Sequence, residues 1–122
     1  MTDVGKKPVL KFFHNPSCSK SRAVRELLQN AEREFRQVEY LENPPEKEEI
    51  VLLVDLLDEP ADKLLREQEE LFLKMAIPEN ELTPNLVAGL IERHPILMAR
   101  PIVMTEQKAL ICRPPNKVFD LL

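Results

Sequence analysis

The sequence predicts an α/β domain: a four-stranded mixed sheet flanked by helices, with a helical insertion between the second and third strands. Three observations predict it. A β-rich apolar run at residues 8–13 is followed by a helical pattern and then by a second β-rich run at 35–41. Strand, helix and strand in so short a span form a right-handed βαβ unit with parallel strands. The middle third carries three successive helical patterns between proline-marked breaks, and the sheet then resumes in two short apolar runs, at 101–105 and 109–112, that read as a hairpin.

Each element has its own local reason. The first strand ends at Asn15-Pro16, because the residue before a proline is pushed out of the helical region. From Ser19 the apolar residues Val24, Leu27, Leu28 and Ala31 recur at helical spacing, so a helix begins beside Cys18. Val38 and Tyr40 alternate with Gln37 and Glu39, the period of a strand. After Asn43-Pro44-Pro45 come the helical sets Ile50/Leu53/Val54/Leu57, Leu64/Leu65/Leu71/Phe72/Met75 and Leu86/Val87/Leu90/Ile91. The third set follows Thr83-Pro84, a cap with proline in the first turn. The insertion spans residues 44–95. In the hairpin, Glu106-Gln107-Lys108 links the strands without the glycine usual at such a turn. Pro114-Pro115 ends it, and Val118, Leu121 and Leu122 suggest a short closing helix. The order β-α-β, helical insertion, β-β-α is the thioredoxin-like arrangement.

Composition narrows the class. A chain of 122 residues fits one domain, residues 1–122, that buries roughly two thirds of its unfolded surface without a metal or disulfide staple. Two cysteines, Cys18 and Cys112, are too few for a secreted disulfide framework, and neither lies in a zinc-type cluster, so no metal site and a cytoplasmic location are expected. Met1–Lys7 has no apolar signal core, and no apolar run approaches the ~20 residues that span a bilayer. A net charge of −4 argues against general attraction to nucleic acid. The acidic blocks at 46–49 and 67–70 read as solvated helix faces.

Chemistry concentrates in H-N-P-S-C-S-K-S-R, residues 14–22. A cysteine at the start of a helix faces unpaired backbone N–H groups and the positive end of the helix dipole, which lowers a thiol pKa. Lys20 and Arg22 add positive charge in the first turn, and the Ser21 hydroxyl is placed to donate to a thiolate. The same N–H groups can hold an oxyanion, so nucleophile and anion cradle coincide. The alternative is an inert buried cysteine, against which the polar neighbours Ser17, Ser19 and Lys20 argue. Ser21 stands where a Cys-x-x-Cys pair would carry its second sulfur, so an external thiol must resolve whatever Cys18 forms. Three residues between Cys18 and Arg22 also fit badly the Cys-x5-Arg loop of low-molecular-weight phosphatases. Cys112, inside the apolar run Ala109-Leu110-Ile111, reads as core packing.

These residues, with Y-L-E-N-P-P at 40–45, L-L-R at 64–66, H-P-I-L-M-A-R-P-I-V at 94–103 and C-R-P-P at 112–115, closely resemble the glutaredoxin-linked arsenate reductase family. The C-S-K-S-R loop marks a branch of it. The resemblance implies a thioredoxin-like fold and reduction of arsenate to arsenite, with glutathione as co-substrate, glutaredoxin as partner and no bound cofactor. It implies that Cys18 attacks arsenate, that glutathione adds to the adduct and that glutaredoxin resolves the mixed disulfide. By motif, the oxyanion-binding arginines fall on Arg66, Arg100 and Arg113, with Arg22 a further candidate from the cysteine loop, and His14 tunes the thiolate. Arg100 precedes Pro101 at a strand start, where this fold puts a proline, commonly cis, facing the active cysteine. Arg66, in a helical pattern rich in Glu67, Glu69 and Glu70, also admits an intrahelical ion pair. His14 equally admits a backbone-bonding role. Two other readings use the same fold: an Spx-type regulator binding RNA polymerase, which typically carries Cys-x-x-Cys, and a general glutathione-dependent thiol oxidoreductase.

Overall fold

Side-chain alternation along the first strand, β1 (Leu10–His14), decides what covers each face of the sheet. The structure, a computed structural model, describes residues 9–122. The Met1–Lys7 segment and Pro8, which the sequence assigns to the first strand, lie outside the described residues. Leu10 and Phe12 point to one face, against Val24 and Leu28 of helix α1 (Ser19–Asn30) and against Val103, Cys112 and Val118. Phe13 points to the other, against a larger cluster supplied by the helical insertion.

The sheet order is β2-β1-β3-β4. β1 runs parallel to β2 (Phe35–Glu39), with His14 opposite Glu39, as the right-handed crossover through α1 requires. It is antiparallel to β3 (Ile102–Met104), which pairs antiparallel with β4 (Ala109–Ile111). The mixed four-stranded sheet expected from the sequence is therefore present. Its glycine-free turn is closed by Thr105, whose Oγ1 accepts the N–H groups of Gln107 and Lys108, both at 3.1 Å.

The insertion contains α2 (Lys47–Leu56), α3 (Glu70–Met75) and α4 (Pro84–Arg93), with single 3-10 turns at Ala61–Leu64, Glu79–Glu81 and Pro95–Leu97. Thr83 caps α4, its Oγ1 accepting the Leu86 N–H at 3.2 Å. The one element that departs from expectation is the second helical set. Leu65 forms an antiparallel bridge with Met98, the Arg66 N–H donates to Leu97 O at 2.7 Å, and the Ala99 N–H donates to Leu64 O at 2.7 Å. Tertiary pairing therefore overrides the helical period after the 3-10 turn ends at Leu64, Leu65 and Arg66 are extended, and α3 starts only at Glu70. The closing segment, Pro115–Leu121, is a 3-10 helix packed on α1.

Phe12 is 0% exposed and bridges α1 and the sheet. Phe12→Ala is expected to lower unfolding free energy by about 3–5 kcal/mol, read from a urea titration.

Candidate active site

Cys18 is the N-cap of α1, in extended backbone (φ −97°, ψ 122°) with no capping bond from its own side chain, so the sulfur is free to face the first helical turn. The loop before it is held by Asn15, whose carbonyl accepts the Cys18 N–H at 3.0 Å and whose Oδ1 accepts the Ser17 N–H at 2.9 Å. That second bond is an Asx turn, the local reason an Asn-Pro sequence makes this bend. Burial pushes the half-buried Cys18 thiol up, but this is outweighed by the backbone N–H of Ser21, the Arg100 side chain and the backbone N–H of Lys20. The net position is below the ordinary thiol value. The helix start thus acts on Cys18 as its sequence position implies, with Lys20 contributing its N–H.

Ser21 plays a different part from the one its spacing suggests. It is 0% exposed, its Oγ accepts the Asn15 N–H at 3.0 Å, and it lies 2.6 Å from His14 Nδ1. The hydroxyl is therefore engaged with His14 and Asn15, and only the Ser21 backbone serves the sulfur. His14 is itself buried, and desolvation, reinforced by the positive charges of Arg25 and Arg22 against Glu39, lowers its pKa. A neutral ring accepting the Ser21 O–H at Nδ1 satisfies both partners. His14 is thus bonded to the cysteine loop at Ser21 and does not itself act on the Cys18 sulfur.

Arg66, Arg100 and Arg113 line one cleft of about 580 Å³. The backbone explains the convergence. The bridge between Leu65 and Met98 brings Arg66 beside the 97–100 segment. The Cys112 N–H donates to Pro101 O at 2.9 Å and an Arg113 Nη donates to Arg100 O at 3.2 Å, which brings Arg113 to the same place. Both Arg100-Pro101 and Arg113-Pro114 are cis. Arg100 joins the two halves of the site, since it lines the cleft and its side chain also stands against the Cys18 sulfur.

The fourth candidate is placed otherwise. Arg22 donates to the Pro16 carbonyl at 2.8 Å on the exposed side of the loop, outside the cleft lining. Arg66 lies in extended chain, not in the helix its neighbours suggest, and its guanidinium pairs with Glu69, the N-cap of α3. The ion pair is real, but it crosses a turn into the cleft. Residues that sequence reasoning did not single out are Asn15, Glu69 and Tyr40, the last 0% exposed just beyond β2. Asn-Pro before a cysteine was the available signal for Asn15; the strand-like alternation around Tyr40 concealed its position.

Cys112 is 0% exposed, and burial pushes its thiol up to about 12. Iodoacetamide on the folded protein is therefore expected to alkylate Cys18 with a midpoint below the free-thiol value of about 8.5, leaving Cys112 unmodified until urea is added; peptide mapping checks both. Among the described residues there is no group of three metal-ligating side chains and no helix long and apolar enough to cross a membrane.

The sequence matches the model of the ArsC family over residues 13–121. It is 34% identical over 113 residues to an arsenate reductase from Acidiphilium multivorum, covering 93% of this chain and 80% of that one. It is equally 34% identical to the uncharacterized protein YfgD of Escherichia coli K12, covering 93% of this chain and 96% of the relative. Among solved structures, an arsenate reductase from Vibrio cholerae superposes with a TM-score of 0.88 at 31% identity, over 96% of this chain and all of the other. A match spanning the cysteine loop, the helical insertion and all three cleft arginines leaves one assignment: the chain belongs to the ArsC family.

Proposed function

We propose that this protein is an arsenate reductase that works through a single cysteine, with glutathione and glutaredoxin as electron donors in the reducing cytosol. The observation that carries the reading is the cleft in which Arg66, Arg100 and Arg113 converge, tied by Arg100 to a low-pKa thiol at a helix N-terminus. A thiolate alone would serve many thiol exchanges; three guanidinium groups in one cleft, of which Arg100 also stands against the sulfur, call for a multivalent oxyanion.

Cys18 Sγ attacks arsenic, forming an S–As bond as a hydroxyl of arsenate leaves as water, its charge held by the arginines and the first N–H groups of α1. A glutathione thiol then displaces a second hydroxyl of arsenic as water, forming a second S–As bond. Both S–As bonds break as the S–S bond between Cys18 and glutathione forms, which leaves two electrons on arsenic, takes As(V) to As(III) and, with uptake of one water, releases arsenite. Glutaredoxin then attacks the glutathione sulfur and returns Cys18 to the thiolate. Ser21 is no thiol, so no internal disulfide can replace this external resolution, and a Cys-x-x-Cys regulatory switch is not available to the chain.

The test is NADPH oxidation coupled through glutathione reductase, glutathione and glutaredoxin. Oxidation that requires arsenate and saturates with it supports the reading. Reduction of a small disulfide with no response to arsenate would make the protein a general thiol oxidoreductase. Glu69→Gln removes the carboxylate that holds Arg66 and is expected to lower the arsenate KM by about 3-fold, the scale of one partly exposed ion pair.

A further inference from the structure

Two buried polar atoms have no hydrogen-bond partner among the described residues: the Tyr40 hydroxyl and Nε of Arg100. They are neighbours. The Tyr40 hydroxyl, on a side chain that is 0% exposed, lies against the side chains of both Arg100 and Asn15. Buried polar groups are costly to leave unpaired, so two adjacent orphans, one a hydroxyl and one an N–H donor, mark a hydrogen bond that the site makes in another of its states.

We propose that Tyr40 is a positioning residue for Arg100: its hydroxyl oxygen accepts the Arg100 Nε–H and the Asn15 Nδ2–H, holding the guanidinium so that its outer N–H groups face Cys18 and the oxyanion. Valence permits this. Asn15 Oδ1 accepts the Ser17 N–H, which leaves its amide N–H2 to donate, and the phenol oxygen has two lone pairs to accept both bonds. The chain of bonds then runs from the cysteine loop through Asn15 and Tyr40 to Arg100. Loop and arginine, which come from opposite ends of the sequence, are set at a fixed distance by one side chain at the end of β2. Burial holds the phenol itself in its neutral form, since desolvation raises its pKa. The oxyanion half of this role rests on the function proposed above; the effect on Cys18 does not.

The experiment compares wild type, Tyr40→Phe, Arg100→Lys and the double variant. Tyr40→Phe keeps the ring and deletes an unpaired hydroxyl, so the fold is retained. The readouts are the pH dependence of Cys18 alkylation by iodoacetamide and the arsenate KM and kcat. Tyr40→Phe is expected to raise the alkylation midpoint, so that the rate well below it falls at least 3-fold, and to raise KM more than it lowers kcat. In the Arg100→Lys background, where no Nε–H exists, Tyr40→Phe should move neither quantity further. An unmoved midpoint in Tyr40→Phe, or an equal shift in the Arg100→Lys background, would overturn the role. A shifted midpoint in a protein that does not reduce arsenate would keep Tyr40's role and remove the proposed function. An unmoved midpoint in one that does would remove the role and keep the function.

Discussion

Cys18→Ser is expected to lose arsenate-dependent turnover by at least about 10³-fold in kcat/KM while keeping its fold, as read by the coupled assay and far-UV circular dichroism. The size follows from the absence of a substitute. A serine hydroxyl is not ionised at neutral pH and cannot form the S–S bond that leaves two electrons on arsenic. The second sulfur in the chain cannot stand in, because Cys112 is sealed beneath the sheet with its thiol pushed up to about 12. Structurally the change is small, because Cys18 caps α1 through its backbone and its side chain makes no capping bond. Activity above a tenth of wild type would mean that another group performs the first attack.

Arg100→Ala is expected to cost about 10²-fold in kcat/KM, more than Arg66→Ala or Arg113→Ala at about 10-fold each, because only Arg100 acts on both reactants. It lines the cleft and also favours the Cys18 thiolate, as hydrogen-bond donor and as charge. Its loss should therefore raise the arsenate KM and shift the alkylation midpoint of Cys18 upward together. Arg66 is shared with Glu69, and one Nη of Arg113 is engaged by the Arg100 carbonyl, which limits what each contributes alone. The three variants assayed side by side settle the order. Equal losses from all three, with the thiol titration unmoved by Arg100→Ala, would mean that the arginines form one undivided charge cluster.

What the sequence carried and what it hid divide along physical lines. Periodicity located β1, α1, β2 and α4 because each buries one face or stripe of its own residues, and Thr83-Pro84 announced the start of α4. It failed after the 3-10 turn that ends at Leu64, where Leu65 and Arg66 sit in extended chain. Their partners, Leu97 to Ala99, are more than thirty positions away, and local pattern contains no trace of that pairing. The same limit governs the site. A cysteine before a helix start is a local signal and was readable. That Arg66, Arg100 and Arg113 share a cleft depends on hydrogen bonds between distant segments, so residues alone made them candidates and family motif made them a set. Spacing within one helical turn allows the Ser21 hydroxyl to reach the sulfur, but the buried imidazole of His14, from the adjoining strand, claims it.

The most direct test of the central claim, that Cys18 reduces an oxyanion held by the cleft and is resolved by glutathione, is intact-protein mass spectrometry after incubation with glutathione and arsenate, with glutaredoxin left out. One glutathionyl group should accumulate on the protein, mapping to Cys18 after digestion, only when arsenate is present and far more slowly in Arg100→Ala. No adduct, or an adduct that forms equally without arsenate, would contradict the account.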